Sequence, residues 1–237
     1  MSVINHMSRL LALTGYEVRR TDAQRRSSLL SHEEFDLVLD VGAATGQYGA
    51  ELRRNGYKGQ ILSFEPLDAA FAQLQRRVAG DKNWSVVQTA VGAHSETGTI
   101  SIAGNSDSSS LLPMLARHEE VAPHTRYIGS QTIEIHTLDE LALDAVQQSR
   151  NAYLKIDTQG YERFVLDGGP RVVALLGGVQ IEMSLIPLDS GAMTFDEAII
   201  RMLGEGFEMH LVEPGLRDPV SQQLLQMDGV FIRPKDA

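Results

Sequence analysis

The stretch Asp40-Val41-Gly42-Ala43-Ala44-Thr45-Gly46-Gln47-Tyr48-Gly49 decides how this chain is read. The apolar run from Phe35 to Val41 precedes it and reads as a short buried strand; Tyr48 to Asn55 follows with helical character and stops at Gly56. A glycine bend between strand and helix is the setting of a nucleotide-type site. A dinucleotide fold requires glycines spaced G-x-G-x-x-G, so that backbone can approach a pyrophosphate at the helix N-terminus. Counting from Gly42, the second position is Ala44 and the third is Gln47, so the pattern fails. Asp40 adds a carboxylate where two phosphates would meet like charge.

Outward from this bend the chain alternates. Ile61 to Phe64 is a second strand closed by Glu65-Pro66, Asp68 to Ala79 a helix, and Trp84 to Val91 a third strand. Between Gly92 and Ser130 the beat is lost. Gly98 to Ala103 reads as a small strand, Gly104 to Ser110 as a polar loop, Thr132 to His136 as an edge strand, and Leu138 to Val146 as a short helix. The beat resumes with strands at Ala152 to Asp157 and Gly178 to Leu185, and helices at Tyr161 to Leu166 and Thr194 to Leu203. Phe207 to Val212 and Asp228 to Arg233 close the sequence as strands. The expectation is α/β: a mostly parallel Rossmann-like sheet with helices on both faces, over residues 35–237. Residues 1–34, with Ile4, Met7, Leu10 and Leu11 at helical spacing, are expected to form an N-terminal helical cap.

Composition narrows the function. A formal net charge of −10 over 237 residues argues against nucleic-acid binding. The doublets Arg19-Arg20 and Arg25-Arg26 are expected on a solvated helix face. With no cysteine, disulfides, thiolate zinc sites and thiol nucleophiles are excluded. No run approaches the ~18 apolar residues of a membrane span, and the first thirty residues lack a secretory apolar run. A cytoplasmic protein without membrane partner is the expectation.

A ligand without phosphates but with a sulfonium, an ammonium and a carboxylate suits this bend better than a dinucleotide. S-adenosylmethionine is such a ligand. Asp40, Gly42, Ala43, Gly46, Gln47 and Tyr48 are the expected cradle, with Glu65-Pro66 at the second strand's end accepting from the ribose hydroxyls.

Three blocks are similar to the FkbM family of methyltransferases. Val38 to Gln47 with Ser63-Phe64-Glu65-Pro66 is the first, and Asn105 to Leu111 the second. Leu154-Lys155-Ile156-Asp157-Thr158-Gln159-Gly160-Tyr161-Glu162, with Val165 to Gly168, is the third; the closing Asp228 to Ile232 is also similar. The likeness covers roughly residues 35 to 233. It implies a class I methyltransferase sheet with an antiparallel last strand, and O-methylation of a sugar, polyketide or related secondary metabolite. Where the family usually has a second acid, this chain has Gln159.

Methylating an alcohol requires alignment and removal of the hydroxyl proton. Asp157, ending a central strand, reads as general base or metal ligand, or else as a cap on the following helix. Glu182 is an acid inside a strand, where a carboxylate needs a partner. Asp157 and Glu182 can together hold a divalent cation such as Mg²⁺, or one of them can pair Lys155. Lys155 and Glu162 form a second candidate salt link. His136 is a further candidate base, His94 follows the third strand, and His118-Glu119-Glu120 reads as a solvated face. Ser109, with Ser108 and Ser110, is expected to line the cofactor or substrate pocket. Acceptor contacts are expected from Gly104 to Gly129 and Ile186 to Met193. The competing classes are a nicotinamide-dependent oxidoreductase and a catalytically silent binding module; the absence of a base-clamping Asn-Pro-Pro-Tyr stretch and the acidic balance count against a DNA methylase.

Overall fold

The computed structural model describes residues 14–15 and 20–235; the expected helix around Ile4 to Leu11 lies outside the described residues. Helix α1 (Asp22–His32) opens the described core and begins at a capping box, in which Thr21 and Gln24 satisfy each other's backbone N–H. Strand β1 (Leu37–Val41) is buried along its whole length, so both its faces need apolar cover. Leu37, Leu39 and Val41 join one core cluster, and Val38 joins the other.

The main sheet has seven strands in the order β3-β2-β1-β7-β8-β10-β9. They are β2 (Gln60–Phe64), β3 (Trp84–Val87), β7 (Ala152–Ile156), β8 (Gly178–Ser184), β9 (Glu208–Pro214) and β10 (Gln226–Ile232) around β1. The pairs β1–β2, β2–β3, β1–β7 and β7–β8 are parallel, whereas β10 runs antiparallel to both β8 and β9. One face is covered by α1, α2 (Gln47–Arg54) and α3 (Asp68–Val78), through Leu30, Leu52, Phe71 and Leu74. Four helices after α4 (Ala116–Val121) cover the other: α5 (Leu138–Gln148), α6 (Glu162–Asp167), α7 (Pro170–Leu175) and α8 (Phe195–Gly204). Helices α5 and α8 start at Thr capping boxes closed by Glu140 and Glu197. Among the described residues no helix is long and apolar enough to cross a membrane.

Two expectations in the middle of the chain are corrected. The strand from Trp84 to Val91 is broken after Val87, and its second part, β4 (Ala90–Gly92), enters a separate three-stranded sheet of order β4-β6-β5. Thr89 fixes the break: its buried hydroxyl lies 3.1 Å from the Glu134 carbonyl and 2.9 Å from His136 Nδ1. The supposed edge strand is the central one, β6 (Tyr127–Thr137), flanked by β4 and β5 (Glu96–Ala103). Its alternation reflects one buried face, with Ile133 and Ile135 on Leu67, Ala70 and Ile100, and one solvated face. This small sheet stands over the carboxyl ends of β1 to β3.

Candidate active site

At the end of β1 the chain turns through Gly42, whose φ is +75°; a Cβ there would lie 1.9 Å from the backbone oxygen of Asp157. Only glycine permits this approach, and it brings the end of β7 beside the bend. The amides of Gly42 and Ala43 donate to the Phe64 carbonyl at 3.2 and 3.0 Å, and Ala44 N–H donates to Glu65 Oε2 at 2.8 Å. Ala44 is held at φ 47°. Two more non-glycine residues with positive φ, Ser106 and Gln159, line the same crevice. Strained backbone gathered at one place marks a functional site.

Counting its open mouth, that crevice encloses about 600 Å³, the scale of a cofactor pocket. Phe64, Leu67, Ala70, Val91, Ile100 and Leu111 supply an apolar end that suits a purine. Glu65 is 5 % exposed and lines it with Pro66. Burial pushes the Glu65 carboxyl up to about 7, against the pull of the Leu67 and Ala44 amides. Each oxygen accepts one amide and keeps a lone pair for another donor. Ser109 also lines this crevice, but its hydroxyl shapes the loop, accepting from Ala103 N–H and donating to the Ser106 carbonyl.

Gln47 and Tyr48 lie elsewhere, in a second crevice on the far side of the bend that shares Gly42, Ala44, Asp107 and Asp157 with the first. Asp40, expected in the cradle, lines neither. It is fully buried under the bend, accepting from Ser63 Oγ at 3.0 Å and paired with Lys155 Nζ at 3.2 Å. The strand's alternation turns it inward on the same face as Val38. Lys155 therefore does not pair with Glu162. It also donates to the Gly42 carbonyl at 2.9 Å, and nearby carboxylates hold its pKa above the usual range despite burial. Glu162 instead accepts from Thr158 N–H, Thr158 Oγ1 and Gly160 N–H. It thus ties together the turn before α6, a helix that has no side-chain cap, so Asp157 does not cap it. The Arg25-Arg26 doublet is split: Arg26 is 5 % exposed, salt-bridged to Glu51 and Glu213.

Asp157 is one of two acids, with Asp107, on the wall that the two crevices share. Its carboxylate accepts from Gln159 Nε2 at 2.8 Å and lies 3.8 Å from Lys155 Nζ. Glu182 is half-buried and lines neither crevice, and burial beside Asp157 and other acids pushes its carboxyl well up. It accepts from Gln159 Nε2 at 3.1 Å and Gln226 Nε2 at 2.9 Å. The amide of Gln159 thus stands between the two acids, giving each a proton donor where a cation would have to sit. Among the described residues no three metal-ligating side chains converge, so a cation at Asp157 and Glu182 finds no support here. Turnover is expected to be unchanged by a chelator; its loss, with recovery on adding Mg²⁺, would show the amide being displaced by an ion.

The remaining candidates are dispersed. His136 sits in β6, bonded to Thr89 and absent from both crevice walls; His94 is exposed. His118 is not on a solvated face: it is 2 % exposed, with Nδ1 3.7 Å from the buried Asp189. Ser110 Oγ donates to the Gln159 carbonyl at 2.7 Å, holding the β7–α6 turn. Gln180, Glu213 and Asp228, which sequence reasoning missed, line the second crevice.

A 3-2-1-7-8-10-9 sheet, a glycine bend without phosphate-binding spacing and a carboxylate closing β2 define a class I methyltransferase using S-adenosylmethionine. Residues 40–209 match the methyltransferase FkbM domain, and the chain belongs to that family. Family membership removes the oxidoreductase alternative. Solved structures are similar at the level of fold. An uncharacterized protein from Listeria monocytogenes serotype 4b is 8 % identical with a TM-score of 0.52, over 92 % of this chain and 69 % of that one. A TehB-like S-adenosylmethionine-dependent methyltransferase from Corynebacterium glutamicum is 13 % identical with a TM-score of 0.43, over 97 % and 96 %. Fibrillarin from Aeropyrum pernix, in complex with natively bound S-adenosyl-L-methionine, is 12 % identical with a TM-score of 0.43, over 83 % and 66 %. No curated protein matches in sequence.

Proposed function

We propose that this methyltransferase acts on oxygen, methylating a hydroxyl of a small hydroxylated metabolite or glycan, with Asp157 taking the proton. The observation that carries the reading is Asp157 on the shared wall of the two crevices. When bound, S-adenosylmethionine supplies a methyl group made electrophilic by the sulfonium. In the first crevice the apolar end takes the adenine, and Glu65 accepts from the ribose hydroxyls. The Gly42 bend brings the Asp157 backbone against the end of β1, beside the donor crevice. Asp157 faces the second crevice from the same wall, held by Gln159 rather than by a helix cap. As the acceptor oxygen gains the methyl group, its proton passes to the carboxylate and S-adenosylhomocysteine is left behind. Lys155, paired with Asp40 and near Asp157, keeps the negative charge under the bend compensated.

Calorimetry with S-adenosylhomocysteine beside NAD tests the donor site. Micromolar binding of the first and none of the second is expected, with Glu65→Ala weakening it at least tenfold. Ribose hydroxyls favour the ionised Glu65, so binding releases a proton from a carboxyl that titrates at about 7. Affinity is therefore expected to fall as pH drops from 8 to 6, and this dependence should vanish in Glu65→Gln. NAD binding alone would overturn the assignment.

A further inference from the structure

The second crevice carries more information about the acceptor than the sequence did. Eleven of its fourteen lining residues have polar side chains, and the other three are Gly42, Ala43 and Ala44 of the bend. Its wall holds five acids against three bases. Both buried bases are already matched: Arg26 by Glu51 and Glu213, Lys155 by Asp40 and Asp157. The third base, Arg54, is exposed. Among the described residues Asp228 forms no salt bridge, and burial and the charge of Asp157 push its carboxyl up to about 6 against a hydrogen bond from Gln180 and the charge of Lys155. Tyr48 offers no bare ring, since the Arg26 guanidinium lies 4.9 Å over its centroid and its hydroxyl donates to Gln180 at 2.9 Å.

We infer that this crevice is the acceptor site and that it selects a neutral polyol of the sugar type over both apolar alcohols and anionic sugars. The inference rests on the methyl-transfer reading and deepens it. An apolar acceptor, such as an unglycosylated polyketide, would strip water from Gln47, Asp107, Asp157 and Asp228 and return no hydrogen bonds. A phosphate or carboxylate would enter beside Asp157, Asp228 and Glu213 with no uncommitted buried cation to receive it. A polyol offers each of these groups a partner and adds no charge. The position agrees with this: the crevice adjoins the donor crevice at Asp157, so a hydroxyl of its occupant can reach the proposed base.

Saturation-transfer NMR on the protein loaded with S-adenosylhomocysteine tests this directly. The probes are methyl glucoside, methyl galactoside and methyl mannoside, their 6-phosphates, methyl glucuronate, and cyclohexylmethanol as an apolar alcohol. At least one neutral glycoside is expected to bind at millimolar concentration, at least about tenfold tighter than its phosphate, its uronate and the apolar alcohol. Asp228→Lys should invert the order between a glycoside and its 6-phosphate. Asp228→Asn should narrow the gap without inverting it. Calorimetric binding of S-adenosylhomocysteine certifies that each variant is folded. Tighter binding of a phosphate, of the uronate or of the apolar alcohol by the unaltered protein would overturn the inference, as would no binding by any neutral glycoside. If S-adenosylhomocysteine itself fails to bind, the methyl-transfer reading falls and takes this one with it.

Discussion

Gly42→Ala is expected to weaken binding of S-adenosylhomocysteine by roughly 5- to 150-fold, while Gly56→Ala leaves it intact. Both glycines have positive φ, +75° and +95°, so both variants bear the left-handed penalty of about 1–2 kcal/mol. They differ in what a methyl group would meet. At Gly56 nothing lies within 4 Å, whereas at Gly42 the new Cβ would fall 1.9 Å from the Asp157 carbonyl oxygen and 3.5 Å from Thr158 Cγ2. Backbone cannot swing aside as a side chain can, so β1 and β7 must part at their carboxyl ends. That displaces the bend, the Ala44 amide held by Glu65 and the carboxylate of Asp157 together. Overpacking of this kind costs about 1–3 kcal/mol beyond the φ strain, which, borne at the site, weakens donor binding by roughly 5- to 150-fold. Circular dichroism and thermal unfolding separate loss of the site from loss of the fold. Should Gly42→Ala bind the product as tightly as Gly56→Ala does, the crevice beside the bend is not where the donor sits.

The bend was legible in the sequence because its requirement is local: a strand, a glycine with positive φ, a helix. Glu65 was legible for the same reason, standing at the end of the neighbouring strand. Asp40 was found, but its pairing with Lys155 was not. Its neighbours in sequence point to a ligand, while strand alternation turns its side chain inward toward Lys155, a residue brought adjacent only by the β1–β7 register. Arg26 looked solvated because its carboxylates, Glu51 and Glu213, come from α2 and β9. The break after Val87 escaped because Thr89 acts on the carbonyl of Glu134, far along the chain. Gln159 was visible only as a departure from the family's acid; that its amide would lie between Asp157 and Glu182 depends on its left-handed backbone, φ 55°. A usable signal for the second crevice did exist. Gln180 stands between Val179 and Ile181 in β8, and Asp228 interrupts β10, so polar side chains in buried strands marked one face as a site.

Asp157→Asn is the variant expected to separate binding from chemistry most sharply. The substitution keeps size and shape, and an asparagine oxygen can still accept from Gln159 Nε2, so the β7–α6 turn should keep its form. Glu162, not Asp157, satisfies the amides of Thr158 and Gly160 in that turn, and the helix after it has no side-chain cap to lose. The backbone oxygen that packs against Gly42 is untouched. S-adenosylhomocysteine should therefore bind within a few-fold of the unaltered protein. Turnover is expected to fall by roughly 10²–10⁴-fold, the range of a lost general base, because asparagine cannot take the acceptor's proton. Glu182 does not rescue it: its carboxyl is pushed up by burial and faces neither crevice. The loss should lie in kcat, with the KM for the donor steady, and should shrink as pH rises and the acceptor hydroxyl ionises more readily unaided. Unchanged turnover would remove Asp157 from the chemistry. A loss confined to donor affinity would make it a cofactor ligand and reopen the search for the base, beginning with Asp228 across the second crevice.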